Sequence, residues 1–374
     1  MKYIWERKNW FNFEYDNAAV LEHLSHLRVL QGKLLGSVAS FDIKLEAEAQ
    51  GAVLVEEAVR TAEIEGHKLN LNAVRSSVAT KLGLPHGVGP HDRNVDGLVD
   101  VLLDAVRFHD KPLTLSRLNG WQAALFPSGY SHLKKIAAGK LRGPEPMRVV
   151  SGPIGREKVH FEALPKERLK EEMSLFIKWW NSSSGKMDGV LRAAAAHLRF
   201  VTIHPYEDGN GRLARALTDM ALAQDEKIKI RYYSISSEIM RSRSKYYDIL
   251  EDVQRCRIET TEWFLWFIKC VAAAIEHSHD IISSVFMRHD FWNQHAQTEI
   301  SERQKKILNR ILEAGPGRFA GGLTTRKYVS IAKVSRATAF REIADLLDKK
   351  ILRQLPGKGR SVHYDLVWPK TRTA

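Results

Sequence analysis

One short segment, residues 204–215, combines the residue types that polyphosphate chemistry needs. Gly209 and Gly211 allow a sharp turn that brings backbone N–H groups close to an anion. A helix that begins here would direct its positive N-terminal end at the same anion. His204 titrates near neutrality and can accept a proton from an attacking hydroxyl. Together these features predict a binding site for a nucleotide polyphosphate with a base beside it.

Charged side chains complete the predicted site. Arg212 and Arg215 are three positions apart and share one helix face, so both guanidinium groups can reach one polyphosphate. Asp208 offers a hard carboxylate oxygen, which suits a Mg²⁺ ion that bridges phosphates. Taken singly, a histidine before a proline is more often structural, and two arginines on a helix more often lie on a solvated face. Their occurrence together, where a loop enters a helix, favours the polyphosphate site.

Amphipathic helices surround this segment, because apolar residues recur at three- and four-residue spacing along most of the chain. The predicted helices cover 17–35, 47–69, 95–108, 115–125, 165–180, 189–202, 211–224, 235–254 and 258–285. One stretch is different: two short extended runs, at 148–150 and 158–161, flank a connector rich in turn residues. This pattern predicts an exposed β-hairpin at 147–161 in an otherwise helical protein.

The composition is that of an ordinary globular protein of about two to three domains. The chain has 374 residues, of which 44% are hydrophobic and 27% charged. Cys256 and Cys270 form no CxxC pair, so the sequence predicts neither a disulfide framework nor a structural zinc site. The longest apolar stretch, 263–275, is too short to span a bilayer, and the N-terminus lacks the apolar run of a signal peptide. We therefore predict a cytoplasmic protein that does not enter a membrane.

The positive charge lies almost entirely near the C-terminus. Residues 301–374 contain 17 basic and 6 acidic residues, a net charge of +11 out of +13 for the whole chain. Helix, Gly-rich loop, helix, short turn, helix and hairpin follow one another there, an order typical of a winged helix-turn-helix. The charge predicts a nucleic acid or an acidic protein as partner, with a solvated basic face as the plain alternative.

The third of these C-terminal helices, 336–350, is the candidate for DNA recognition. Arg336 and Arg341 could reach a groove, and Lys358 and Arg360 of the wing could contact phosphates. The same helix carries the acidic residues Asp345 and Asp348, which phosphates would repel. Many winged helices mediate protein contacts instead, so both interpretations stay open.

Residues 204–215 resemble the signature of Fic proteins, HxFx(D/E)GNGRxxR, with Tyr206 where phenylalanine is usual. The resemblance implies an all-helical core over about 112–256, with the hairpin as the flap that aligns a target segment by strand addition. We therefore predict a mainly α fold with an all-helical Fic core, a β-hairpin flap, an N-terminal helical region and a C-terminal winged helix-turn-helix. The predicted division is 1–110 for the N-terminal region, 111–256 for the Fic domain, 257–299 for connecting helices and 300–374 for the winged helix.

The activity that this resemblance implies is the transfer of AMP from ATP to a protein hydroxyl, with release of pyrophosphate. In such a nucleotidyltransferase, His204 would deprotonate a target Ser, Thr or Tyr, and Asp208 would hold Mg²⁺. The residues implied in ATP binding are Val201, Gly209, Asn210, Gly211, Arg212, Arg215, Tyr246 and Tyr247. For the two tyrosines, packing in the helical core is the alternative.

A second match lies far away in the sequence, in the N-terminal region. Thr61, Glu65 and Gly66 fit the family's inhibitory motif, (S/T)xxxE(G/N). A carboxylate paired with Arg215 would occupy the guanidinium group that should hold the γ-phosphate. Glu63 is the rival carboxylate, although the motif spacing favours Glu65. The resemblance therefore implies an enzyme that is held largely inactive at rest.

Other functions remain open at this point. A DNA-binding regulator could use the Fic core as a nucleotide sensor, which needs the arginines but not the base. A Fic enzyme could also use another nucleotide or a phosphocholine donor, or remove AMP from a modified protein with Glu65 positioning the water. The intact signature favours AMP transfer. The target protein, modification of the chain by itself and a homodimer are left open.

Overall fold

The computed structural model describes residues 2–39, 41–85, 89–131, 133–151, 158–257, 259–357 and 362–369. The chain forms two compact units, Met1–His279 and Asp280–Ala374. Both are mainly helical, as predicted. Among the described residues, no helix has the length and apolar character needed to cross a bilayer. The finer division into four regions stays a prediction.

The first unit opens with a short 3-10 helix, Ile4–Glu6, and continues through a series of α-helices. These are α1 (Asn17–Val38), α2 (Ile43–Ile64), α3 (Leu71–Leu82), α4 (Arg93–Arg107), α5 (Leu115–Leu125), α6 (Lys166–Ser183), α7 (Gly189–Ile203), α8 (Asn210–Glu226), α9 (Ile235–Arg241), α10 (Arg243–Gln254) and α11 (Thr260–Gln294). The residues of α11 after His279 belong to the second unit. Polar side chains fix several of the starts: Asp16, Asp42 and Asp188 each accept backbone N–H groups of the first turn.

Two helix boundaries differ from the predicted ones for local reasons. Helix α2 ends at Ile64 rather than at 69, because Gly66 adopts a left-handed φ of 83°. The N–H of His67 then donates to the carbonyl of Ala62 and closes the helix. The single helix predicted over 235–254 is two helices, which Ser242 separates.

Helices α7 and α8 form the centre of the first unit. Every residue of α7 is buried, and its run of alanines, 193–196, lets neighbouring helices approach closely. Most of α8 is buried as well, and the loop 204–209 connects the two helices. A helix pair that is buried on all sides gives this loop a rigid base, which a site for chemistry requires.

Small strands complete the first unit. They are β1 (Tyr130–Ser131), β2 (Lys134–Lys135), β3 (Arg148–Ser151) and β4 (Lys158–Glu162). Strands β3 and β4 pair antiparallel with Val149 opposite Phe161, which confirms the predicted hairpin, while its connector lies outside the described residues. Phe161 packs against Tyr3 and Ala163, and Arg255 donates to the carbonyls of residues 159 and 160. These contacts anchor β4 to the helical core.

After the end of α11, the described part of the second unit contains three helices followed by two antiparallel strands, the order that its sequence predicts. They are α12 (Glu302–Ala314), α13 (Thr325–Ala332), α14 (Arg336–Asp348), β5 (Leu352–Gln354) and β6 (Tyr364–Leu366). Its own apolar core includes Ile307, Ile311, Ile343, Leu346 and Leu366. The predicted wing residues Lys358 and Arg360 lie outside the described residues.

Candidate active site

The loop between α7 and α8 turns through two unusual backbone conformations. His204 follows the last residue of α7 with a left-handed φ of 51°, which is uncommon for any residue other than glycine. Gly209 precedes α8 with a φ of 88°, where a side chain would be strained. The chain therefore reverses direction within a few residues, and His204 lies close to the N-terminus of α8.

Asn210 and Tyr206 hold this loop in shape. The Oδ1 atom of Asn210 accepts the N–H of Tyr206 at 3.0 Å, and its Nδ2 donates to the carbonyl of Tyr206 at 2.8 Å. The buried hydroxyl of Tyr206 donates to Oδ1 of Asn119 at 2.8 Å. Both side-chain groups of Asn210 are thus used within the loop. The role of Asn210 in ATP binding stays a prediction.

His204 is arranged to act as a neutral base. Its Nδ1 donates to the carbonyl of Val201 at 3.1 Å, which places the proton there and leaves the lone pair on Nε2. Burial is the main cause that lowers the pKa of His204 below its ordinary value, and the charge of Arg142 lowers it further. The bond to Val201 and the charges of Glu65 and Asp208 act in the opposite direction. The lowered pKa keeps the imidazole unprotonated near neutral pH.

Arg142 supports His204 in a way that no sequence pattern indicated. This buried arginine donates from Nε to the carbonyl of His204 at 2.8 Å and from Nη2 to the carbonyl of Leu164 at 2.5 Å. Its backbone N–H donates to the carbonyl of Pro205 at 3.0 Å. It stands alone in an irregular stretch between α5 and β3, so spacing gives no signal for it. Arg142 positions the start of the loop and places a positive charge near the base.

We expect Arg142→Gln to raise the pKa of His204, because the imidazolium would no longer face a nearby positive charge. Arg142→Lys keeps the charge while changing the hydrogen bonds, so it should leave this pKa closer to the wild-type value. Titration of the His204 ring by NMR measures both. Equal His204 pKa values in the two variants would contradict an electrostatic role for Arg142.

Arg212 lies in the first turn of α8 and has hydrogen-bond donors that no described residue accepts. Among the described side chains, its Nε and Nη2 atoms are buried and have no hydrogen-bond partner. The nearest carboxylate, that of Asp208, is 3.8 Å from Nη2, and the guanidinium group lies 4.7 Å from the centre of the Phe126 ring. Buried donors of a charged group are rarely left unpaired in a stable protein. Arg212 is therefore ready to bind an anion.

Arg215 is fully buried and is held by residues of α2 and its end. Its Nε donates to Oγ1 of Thr61 at 2.6 Å, and its Nη2 donates to the carbonyl of Thr61 at 2.9 Å and to Oε1 of Glu65 at 2.7 Å. A Cβ atom built on Gly211 would lie 2.1 Å from the same Oε1. The carboxylate thus lies directly against Gly211, in the first turn of α8. It occupies the place where the sequence predicts a phosphate.

The end of α2 places the carboxylate of Glu65, and not that of Glu63, beside Arg215. Gly66, in its left-handed conformation, ends the helix immediately after Glu65. Glu63 pairs with Arg60 at 2.7 Å along the surface of α2, so the structure brings Glu65 and not Glu63 to Arg215. Burial alone would lower the pKa of Arg215, but the charge of Glu65 raises it above its ordinary value.

Asp208 lies at the edge of the site with part of its carboxylate accessible. Its Oδ1 accepts the N–H of Gly209 at 2.5 Å, and its Oδ2 accepts the hydroxyl of Ser131, another contact that the sequence did not reveal. The side chain of Asp208 is 37% exposed. Within the described parts of the chain, no group of three or more His, Cys, Asp or Glu residues could hold a metal ion. A Mg²⁺ ion at this carboxylate would depend on phosphate and water oxygens for its other ligands, as Mg²⁺ commonly does.

The two predicted adenine contacts lie in different surroundings. Tyr246 is 2% exposed, bonds its hydroxyl to Nε2 of His197 at 2.9 Å and packs against Trp266 with ring centres 5.5 Å apart. The structure therefore favours core packing for Tyr246. Tyr247 is half-buried, and its hydroxyl donates to the carbonyl of Ile64 at 3.1 Å, at the end of α2. Its contact with adenine stays a prediction.

Two family models match this chain. Residues 3–84 match a domain of unknown function, DUF4172, and residues 112–222 match the Fic/DOC family. The second match includes the loop, His204 and both arginines of the site.

Curated relatives resemble parts of the chain. It is 26% identical to "Protein adenylyltransferase Fic" of Culex quinquefasciatus over 272 residues, which are 71% of this chain and 49% of that protein. It is 39% identical to "Uridine 5'-monophosphate transferase" of Xanthomonas campestris pv. campestris over 64 residues, which are 16% of this chain and 12% of that protein. The chain thus spans about half or less of the length of these relatives.

The fold also resembles a solved structure over nearly its whole length. A Fic family protein from Desulfovibrio desulfuricans G20 superimposes with a TM-score of 0.53 at 15% identity, covering 96% of this chain and 99% of that one. At this identity the similarity shows the fold.

Proposed function

We propose that this chain, whose residues 112–222 match the Fic/DOC family, transfers AMP from ATP to a Ser, Thr or Tyr hydroxyl of a target protein. The observation that carries the proposal is the pair of unpartnered donors on buried Arg212, which lie at the N-terminus of α8 close to a base with a free Nε2. A buried cation needs an anion, and the adjacent base needs a proton donor. A nucleoside triphosphate and a target hydroxyl supply the two.

The first turn of α8 and its arginines would bind the triphosphate. The backbone N–H groups of Asn210 and Gly211 belong to the first turn of α8, at the positive end of the helix, where phosphates bind well. Arg212 would donate its two unpaired groups to the β- and γ-phosphates, and Arg215 would join it once Glu65 has left. Val201 and Tyr247 are proposed to line the nucleoside side of this site.

His204 would carry out the proton transfer. Its Nε2 would take the proton of the target hydroxyl, and the oxygen would attack the α-phosphorus in line. The bond from the α-phosphorus to the oxygen that bridges to the β-phosphate would break, and pyrophosphate would leave with that electron pair. The arginines and the N–H groups at the helix start stabilise the charge on the phosphates during this step.

Asp208 and the flap are proposed to prepare the reactants. Asp208, oriented by Ser131, would hold a Mg²⁺ ion that neutralises phosphate charge. In the hairpin, Arg255 already binds carbonyls of β4, so the outer edge of β3 is the one proposed to pair with an extended target segment. Val150 is exposed on this hairpin and could contact the side chains of such a segment.

Glu65 is proposed to hold the enzyme in a state of low activity. In the structure its carboxylate both pairs with Arg215 and lies against Gly211, so it competes with a phosphate for the charge and for the space. ATP could still enter, but its γ-phosphate would lack a partner and its α-phosphate would not align with His204. Release of α2 from the site would be the activating event.

Labelled nucleotides test the proposed reaction. Glu65→Gly is incubated with a cell lysate, Mg²⁺ and ATP that carries the label on either the α- or the γ-phosphate. The expected result is more protein-bound label from α-labelled ATP than in lysate without the chain, with no such increase from γ-labelled ATP, which lysate kinases also use. Label from α-labelled UTP instead would indicate UMP transfer, the activity named in the Xanthomonas relative. Binding of ATP without any label would favour a nucleotide sensor, and loss of AMP from a pre-modified protein would favour the reverse reaction.

A further inference from the structure

The second compact unit carries a large positive charge that AMP transfer does not use. Residues 301–374 have a net charge of +11, whereas the first 300 residues have a net charge of only +2. None of the residues that we assign to ATP or to the target lies in this unit. The charge therefore indicates a separate interaction.

Most of the acidic residues in this unit are already paired within it. Glu342 binds Arg303 at 2.7 Å and Tyr328 at 2.7 Å, and Asp345 binds Lys349 at 2.8 Å and Gln304 at 2.7 Å. Further ion pairs join Glu302 to Lys305, Glu313 to Arg310, and Asp365 to Arg353. Since each pair uses one basic residue for one acidic residue, a surplus of unpaired positive charge remains on the surface.

Helix α14 presents part of that surplus on one exposed face. Its buried side consists of Ala339, Glu342, Ile343 and Leu346, at the spacing of one helical face. The opposite side consists of Arg336, Ala337, Phe340, Arg341 and Ala344, all exposed, and we name it the basic face. Phe340 is 49% exposed, with the guanidinium group of Arg336 5.6 Å from its ring centre. A large aromatic ring beside two arginines on an open helix face suggests a surface for a ligand.

The two acidic residues that argued against DNA lie C-terminal to the residues that define the basic face. Asp345 is held by Lys349 and Gln304 at the side of the helix, and Asp348 is the last residue of α14. The basic face therefore has no carboxylate over its first nine residues, 336–344. In helix-turn-helix proteins, the N-terminal residues of the second helix contact the bases.

The geometry around α14 is that of a helix-turn-helix. Helix α13 ends at Ala332 and α14 begins at Arg336, so three residues form the turn, with Lys333 in a left-handed conformation. Ser335 caps α14 by accepting the N–H of Thr338 at 3.1 Å. We propose that this unit is a winged helix whose basic face binds the major groove of double-stranded DNA.

The residue types on the basic face favour DNA over an acidic protein. Arginine pairs with the O6 and N7 atoms of guanine, and alanine and phenylalanine contact the methyl group of thymine. Ala337 and Ala344 add no bulk, so the helix backbone can approach the floor of a groove. An acidic protein surface would need the charge but not the alanines and the phenylalanine that accompany the two arginines on this face.

Fluorescence anisotropy of the full chain with a labelled pool of random-sequence duplexes tests the proposal. We expect binding that weakens steeply between about 50 and 200 mM salt, because phosphate contacts release counterions. On a duplex that selection with the wild-type chain enriches, the double variant Arg336→Ala/Arg341→Ala should lose at least about 5- to 150-fold in affinity, the range for one base-contacting arginine. Repeated selection from the pool should enrich a defined sequence with the wild-type chain and not with this variant.

The matched control removes two positive charges from the same unit outside the basic face. Lys305→Ala/Arg310→Ala changes exposed residues of α12 and leaves the net charge equal to that of the first double variant. It should bind DNA within a few-fold of wild type, and thermal unfolding checks that both variants are folded. Absence of duplex binding at about 50 mM salt, equal losses in the two double variants, or equal competition by poly-L-glutamate and duplex DNA would each overturn the proposal.

Discussion

Glu65→Gly is expected to raise the rate of AMP transfer about 5- to 150-fold, which corresponds to a coupling free energy of about 1–3 kcal/mol between the end of α2 and the phosphate site. The variant removes the carboxylate that pairs with Arg215 at 2.7 Å and lies against Gly211. Arg215 then has a free, buried charge for which the γ-phosphate is the natural partner. Transfer of label from α-labelled ATP to protein, followed over time after denaturation, measures the rate.

Glu63→Gly is the matched control for this prediction. It removes the same kind of residue from the same turn of α2, but Glu63 pairs with Arg60 and not with Arg215. Its transfer rate should stay close to that of wild type. ATP should also raise the unfolding temperature of Glu65→Gly by more than that of Glu63→Gly, because only the former gains a site for the γ-phosphate. An equal response of the two variants to ATP would show that Glu65 does not compete with phosphate.

The loop 204–209 and the carboxylate of Glu65 could be predicted because short sequence motifs contain the residues that form them. Between His204 and Arg215 the base, the glycines and the arginines follow one another closely, so local geometry alone brings them together. Glu65 lies 150 positions from Arg215 in the sequence. It could still be predicted, because the inhibitory motif includes both this glutamate and the glycine that follows it and ends α2. The order of helices and strands in the second unit could be predicted for a similar reason, because its turns and helix caps are formed by residues close together in the sequence.

Contacts that depend on tertiary packing could not be predicted from sequence motifs. Arg142 binds the carbonyl of His204, and Ser131 binds the carboxylate of Asp208. Arg142 lies in an irregular stretch and Ser131 in a strand of two residues, and neither shows a periodicity that would reveal its contact. The side chain of Asn210 forms hydrogen bonds with the backbone of Tyr206 because the loop closes on itself. Residue type alone does not tell whether this side chain binds the loop or a ligand. Composition also leaves undecided which of two adjacent tyrosines is buried. Packing of α10 against α11 settles it by enclosing the first of the pair, residue 246, among tryptophans.

His204→Ala, placed in the Glu65→Gly background, is expected to lower the transfer rate by on the order of 100- to 10,000-fold, the usual contribution of a general base. The affinity for ATP should change little, because the arginines and the start of α8 remain. His26→Ala, which removes an exposed histidine of α1, is the control and should leave the rate unchanged. A His204→Ala chain that transfers AMP as fast as its parent would remove the base from the mechanism.

The pH dependence of the transfer rate in the same variants gives a second, independent test of His204 as the general base. A protonated imidazole cannot take the proton of the target hydroxyl, so the transfer rate of Glu65→Gly should fall as pH drops through the pKa of His204. Because burial and the charge of Arg142 lower that pKa, the fall should lie at a lower pH than the ordinary titration of histidine. Adding Arg142→Gln should move the fall towards higher pH, in the direction of the expected rise in pKa. The residual rate of His204→Ala should show no such step, since the group that titrates there is gone, whereas a step retained in that variant would assign the titration to another residue.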